Sequence, residues 1–219
     1  MSKKLIAAVL AGLVALAVVV TGVLWAFPVL KVTGYDITGA ERLPVETVQE
    51  ATGVAPGDNL VRVDAQQAAA GVAQLPWVRT ATVTRQWPST LGVEITERRA
   101  VLFSNEEDGT HLIDETGTPF LIDTPPESAV EVTGEGRDDP EVLASVTEVV
   151  ESLPEHVRGQ VARVDAPSDR DIEFHLHDGR TVYWGSAQNN HDKALAMETV
   201  LTRQGQHWNV SSPTMVTVR

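Results

Sequence analysis

The chain has 219 residues and a formal charge of −13, from 30 Asp/Glu against 17 Lys/Arg, and it contains no cysteine. Such an acidic surface repels phosphate backbones, which need Lys/Arg to displace counterions, and this argues against a nucleic-acid partner. The missing thiols exclude disulfides, thiolate catalysis and Cys-ligated metal.

After Lys3 and Lys4, the run LIAAVLAGLVALAVVVTGVLWAF (Leu5 to Phe27) carries no charge. As a helix at ~1.5 Å per residue it spans roughly 34 Å, enough for the ~30 Å hydrocarbon core. Lys3 and Lys4 should stay cytoplasmic by the positive-inside rule, and Trp25 suits the far interface. A cleaved signal peptide is the competing reading, and Ala15-Leu16-Ala17 has the small-x-small form. More apolar residues follow that triplet, however, and the run exceeds the usual h-region of about 7–15 residues. The expectation is a cytoplasmic tail over residues 1–4, an uncleaved transmembrane helix over 5–27, and everything from Lys31 onward outside the membrane.

The exterior reads as two blocks. In the first, a strand over Val32 to Ile37 is followed by a turn at Thr38-Gly39-Ala40. Pro44 suits a first helical position, with Val45 and Val48 on one face until Gly53 stops the helix. The stretch APGDNL (Ala55 to Leu60) is a turn, and Asp64 can cap a second helix with Val72 and Leu75 inward. Two strands, Val78 to Trp87 and Leu91 to Arg98, then flank Trp87-Pro88-Ser89-Thr90. Leu91, Val93 and Ile95 alternate with Gly92, Glu94 and Thr96, the period of a half-buried strand. The order is strand, helix, helix, strand, strand.

The second block is strand-rich. VLFSN, THLID and PFLID form a meander turned at Asp108-Gly109 and at Glu115-Thr116-Gly117. PPESAVEVTGEGRDDP reads as a polar loop. A helix over Glu141 to Leu153 places Leu143, Val146, Val150 and Leu153 at helical spacing. A strand near Val161 to Val164 leads into the hairpin DIEFHLHDGRTVYWG, turned at Asp178-Gly179. Asn190 opens a last helix with Ala194, Met197 and Leu201 on one face, ending near Gly205. HWNVSSPTMVTVR closes the chain as two short extended pieces.

The chemistry-bearing residues are sparse. His175 and His177 share a strand face and could clip a metal, but they read better as the solvent face opposite Ile172, Phe174 and Leu176. His111, His156, His191 and His207 are isolated in sequence, and Glu106-Glu107-Asp108 reads as a solvated loop. No nucleophile elbow, P-loop, zincin or dinucleotide motif is present. Trp77, Trp87, Trp184 and Trp208 could anchor a partner, and more often pack in the core or rim. Arg79 and Arg85 read as solubilising an exposed strand face. TMVTVR differs, because a terminal strand is commonly a sheet edge that can accept a partner's strand.

The strand-helix-helix-strand-strand order resembles the POTRA domain, and LPWVRTATVTRQWPSTLGVEITER resembles the FtsQ/DivIB family of bacterial cell-division proteins. The residues that carry the resemblance are Leu75-Pro76-Trp77-Val78, Ala81-x-Val83-x-Arg85, Trp87-Pro88-x-Thr90-Leu91 and Glu97-Arg98. Gly57-x-Asn59-Leu60, Asp64, the Asp114-x-x-Gly117 motif and Lys193-x-x-x-Met197 agree with it.

The resemblance implies an α+β fold. A POTRA domain over 28–98 would be followed by an FtsQ-type β domain over 99–219, with two helices on an antiparallel-dominated sheet. It also implies a non-enzymatic divisome scaffold without cofactor, metal or small-molecule substrate. The protein would be a single-pass membrane protein enriched at the septum. There it would recruit membrane-anchored coiled-coil partners of the FtsB and FtsL type and help regulate septal peptidoglycan synthesis. By position, the partner-binding residues would be Thr214, Met215, Val216, Thr217, Val218 and Arg219, with Trp208 and Lys193 as neighbours. An anchored POTRA chaperone for secreted polypeptides is the alternative, separable by promiscuous rather than stoichiometric binding.

Overall fold

The computed structural model describes residues 3–26 and 30–218, with side chains described for 10–22 and 30–218. Helix α1 covers Lys3–Ala26. Judged on the described residues, no helix is long and apolar enough to cross a membrane. The span expected over Leu5 to Phe27 therefore falls partly outside the described residues, as does the expected binding residue Arg219. The chain divides into two compact units, between Glu97 and Arg98.

The first unit contains β1 (Gly34–Thr38), α2 (Val45–Ala51), α3 (Ala65–Val72), β2 (Val78–Gln86) and β3 (Thr90–Glu97). The strand order is β1-β3-β2, with β1 parallel and β2 antiparallel to the central β3. β3 carries the strict alternation of the sequence, and Leu91, Val93 and Ile95 are buried against Val48, Leu60, Ala68 and Val72. Asp64 caps α3 as its residue type demands, accepting from Gln66 N at 3.0 Å and Gln67 N at 3.1 Å. Of the pair expected on one face of α2, Val48 is buried and Val45 is exposed. Pro44 takes extended backbone (ψ 137°) and precedes the helix instead of entering it.

Three residues singled out by sequence hold this unit together. The Glu97 carboxylate accepts from the backbone N–H groups of Glu41, Arg42 and Leu43 at 3.0 Å each. It thereby gathers three donors ahead of α2. Arg85 is not merely a solubilising charge, because its Nε and Nη2 donate to the Val63 carbonyl at 3.0 and 2.5 Å. The Arg42 guanidinium lies 4.9 Å over the Trp77 ring, a cation–π contact. Trp87, beside Pro88, is 58% exposed and takes no part in the core.

The second unit runs from β4 (Ala100–Glu106), β5 (Gly109–Asp114) and β6 (Pro119–Ile122) to β7 (Val130–Thr133) and a 3-10 turn at Glu135–Asp138. It continues with α4 (Pro140–Ser152), α5 (Glu155–Arg158), β8 (Val161–Ser168), β9 (Asp171–Leu176) and β10 (Thr181–Gly185). It closes with α6 (Asn190–Leu201), β11 (His207–Asn209) and β12 (Thr217–Val218). All nine strands form one sheet in the order β12-β11-β10-β9-β8-β7-β4-β5-β6.

The polar stretch Pro125 to Pro140, expected as a loop, instead contains a central strand. β7 pairs in parallel with β4 on one side and β8 on the other. It is four residues long and its partners lie about thirty positions away in either direction. Its two-residue alternation of Val130 and Val132 is therefore too short to register locally. α4 buries a wider face than its spacing suggested, with Val142, Thr147 and Val149 joining Leu143, Val146 and Val150. α5 was not foreseen and adds a third helix to the expected α4 and α6.

The Asp114-x-x-Gly117 motif is a lock between β5 and α4. Asp114 is fully buried. It accepts from Thr116 N (2.9 Å), the Thr116 hydroxyl (2.6 Å) and Thr118 N (3.1 Å), and closes an ion pair with Arg98. Gly117 has φ +79°, and a Cβ there would stand 2.6 Å from the Ala144 backbone nitrogen. Only glycine permits both that dihedral and that approach of the turn to α4.

Candidate partner-binding edge

The C-terminal end of the sheet is built by a β10-α6-β11 crossover, the connection that lets β11 lie parallel to β10. α6 is fixed at both ends. The Lys193 ammonium, 2% exposed, donates to the carbonyls of Trp184 (3.1 Å) and Ser186 (2.8 Å). Burial alone pushes its pKa down. The Trp184 indole donates to Asn190 Oδ1 at 3.2 Å and meets Phe174 edge to face at 5.5 Å. At the other end, Arg180 Nη1 donates to the carbonyls of Leu201 (3.2 Å) and Arg203 (3.4 Å), a cation satisfying helix C-terminal acceptors.

β11 is reversed into β12 through a turn in which Asn209 Oδ1 accepts from Ser211 N (3.0 Å) and the Ser211 hydroxyl (2.7 Å). Register then sets Trp208 opposite Val218 and Asn209 opposite Thr217. Following the registers inward, Val218, Trp208, Val182, Phe174, Val164 and Val132 lie side by side across six strands. Five of these are buried, and Val218 at 48% exposure is the member left open at the edge. The adjacent row is polar: Thr217, Asn209, Tyr183, Glu173 and Asp165. Gly205 underlies the edge, since a Cβ there would stand 2.4 Å from Val218 and 2.8 Å from the Trp208 ring.

The residues singled out by sequence thus separate. Thr214, Met215, Thr217 and Val218 are exposed, Met215 at 73%, and Val216 packs partly against the core. Trp208 is buried beneath the edge strand, and its indole N–H has no partner among the described residues. Lys193 is turned inward and shapes the loop before α6 instead of presenting a charge. Among the described residues, the outer side of β12 borders no further strand. Chemically the edge offers backbone donors and acceptors and an apolar row that stops at Val218.

His175 and His177 lie where the alternation places them, opposite buried Ile172, Phe174 and Leu176, whereas His111 departs from its reading. His175 lies against Arg163, its Nδ1 3.4 Å from a guanidinium nitrogen, on the face opposite buried Phe174 and Leu176. His111, isolated in sequence, meets Asp108 at 2.8 Å and Glu106 at 3.8 Å. The hydrogen bond raises the His111 pKa and lowers that of Asp108.

Residues 32–98 match the family described as POTRA domain, FtsQ-type, and residues 102–213 match the family described as Cell division protein FtsQ/DivIB, C-terminal. The chain is 45% identical over 222 residues to a protein of Corynebacterium glutamicum named Cell division protein FtsQ, covering 100% of both chains. It is 37% identical to the protein of that name from Mycolicibacterium smegmatis, covering 95% of this chain and 63% of that one. A solved extracytoplasmic domain of DivIB from Geobacillus stearothermophilus aligns with a TM-score of 0.38 and 20% identity, over 50% of this chain and 98% of that one.

Proposed function

Because the chain belongs to the FtsQ/DivIB family of cell division proteins, we propose that it is a non-enzymatic scaffold of the division septum. It recruits membrane-anchored coiled-coil partners of the FtsB and FtsL type by strand addition at β12, and through them helps regulate septal peptidoglycan synthesis. The observation that carries this reading is the apolar row ending at half-exposed Val218, next to a polar row ending at Thr217. A strand added there continues both rows, so the partner residue beside Val218 should be apolar and the one beside Thr217 polar. Anchoring through Leu5 to Phe27 belongs to the same proposal. It is supported by the helical backbone over the 24 residues Lys3–Ala26, roughly 36 Å long, and by the flanking Lys3 and Lys4.

The test uses the full-length chain, with residues 213–219 deleted or with Val218→Asp, titrated with the ectodomain of an FtsB-type partner. Both variants should keep the parent's circular dichroism spectrum while binding at least about tenfold more weakly, or ~1.4 kcal/mol. Folded variants that bind with parental affinity would sink the edge-pairing reading.

A further inference from the structure

The β4–β5 hairpin turns at the far end of the sheet from β12, next to the opposite edge strand β6. Its ladder sets Ser104 opposite His111 and Glu106 opposite Gly109. That register brings one oxygen of Glu106, one of Asp108 and a ring nitrogen of His111 within 4.8 Å of one another. His111 Nε2 is 2.8 Å from Asp108 Oδ1 and 3.8 Å from Glu106 Oε2. The buried Ser104 hydroxyl donates to the other Glu106 oxygen at 3.0 Å, so that the carboxylate is held with Oε2 on the imidazole side.

We infer that Glu106, Asp108 and His111 form a binding site for a divalent first-row transition-metal ion of the Zn²⁺ type. Charge is the first reason. Two carboxylates are drawn together here, and neither has a lysine or arginine partner among the described residues. His111 is the partner the two carboxylates share, and a dication bound among the three would neutralise both carboxylates while the imidazole turns a ring nitrogen to it.

Geometry is the second reason. Ligands bound at ~2.0–2.1 Å around one ion stand roughly 3–3.5 Å apart. The observed 2.8 and 3.8 Å bracket that spacing, so small side-chain rotations suffice.

Donor type selects the metal. One imidazole nitrogen with two carboxylate oxygens suits Zn²⁺ and its neighbours, whereas Mg²⁺ and Ca²⁺ favour all-oxygen shells. With three protein ligands, the ion would clip β4 to β5 at the hairpin tip and keep an open position for water or a further ligand.

The experiment is isothermal titration of tag-free, chelator-treated full-length protein, in mild detergent, with zinc chloride. About one equivalent should bind per chain. His111→Ala and Asp108→Asn should each weaken binding about tenfold or more, and His175→Ala/His177→Ala should leave it unchanged. No binding up to about 1 mM Zn²⁺, parental affinity in the His111 and Asp108 variants, or loss in the His175/His177 variant would overturn the assignment. Should a variant fail to fold, the imidazole proton resonances of the parent decide. Zinc must move those of His111, and shifts confined to other histidines would likewise overturn it.

Discussion

Lys193 donates to the Ser186 carbonyl at 2.8 Å from a side chain that is almost wholly buried. A lysine in this position costs desolvation that its two carbonyl acceptors and the face of the Trp184 ring, 5.8 Å away, offset. Lys193→Met preserves the aliphatic stem and strands the Trp184 and Ser186 carbonyls. It should lower the unfolding free energy by about 1–3 kcal/mol in urea titrations, without removing β12.

Asp114 supplies a pH-dependent stabilisation. Burial pushes its pKa up, but the hydrogen bonds from Thr116, Thr118 and Arg98 outweigh this and hold it below the usual carboxylate range. A depressed folded pKa contributes stability that is present above the ordinary Asp value of about 3.9 and lost as pH falls through the folded value. Urea midpoints of the parent should therefore fall steeply below about pH 4, and Asp114→Asn should lack that component. Asp114→Ala, which leaves Arg98 and two N–H groups without their acceptor, should cost on the order of 3 kcal/mol at neutral pH.

Glu97 is the shared acceptor of three backbone donors ahead of α2. Glu97→Ala should destabilise the first unit by about 1 kcal/mol, since the freed donors can reach water. Hydrogen exchange should speed up at the amides of Glu41, Arg42 and Leu43 and stay unchanged in the second unit. Uniform exchange across the chain would contradict so local a role.

Gly205 leaves room for Val218 and the Trp208 ring. Gly205→Ala should displace the edge strand at a cost of about 1–3 kcal/mol from overpacking. The expected signature is faster amide exchange at Thr217 and Val218, with partner affinity reduced and α4 protection intact. Parental exchange at β12 would show that Gly205 does not support the edge.

Legibility followed the range of the interactions involved. The period-two alternation of Leu91, Val93 and Ile95, the Asp64 cap and the Asp178-Gly179 hairpin are set by neighbours a few residues away. They are formed where the sequence places them. β7 was not legible, because Val130 and Val132 gain their strand character from β4 and β8, which are remote in sequence. Lys193 was recognisable as a motif residue, but its inward turn depends on the Trp184 and Ser186 carbonyls closing around it.

The sequence by itself determined the family, the two-block order and the apolar and polar rows of each long strand, because these are properties of local periodicity and residue type. Tertiary structure decided which row reaches a free edge at Val218, which charges act as locks (Arg85, Glu97, Asp114, Lys193), and that His111 meets Glu106 and Asp108. Those outcomes depend on strand register. Moving a register by one residue turns every side chain to the other face, and between strands remote in sequence, such as β7 with β4 and β8 or β11 with β10, no local turn specifies it.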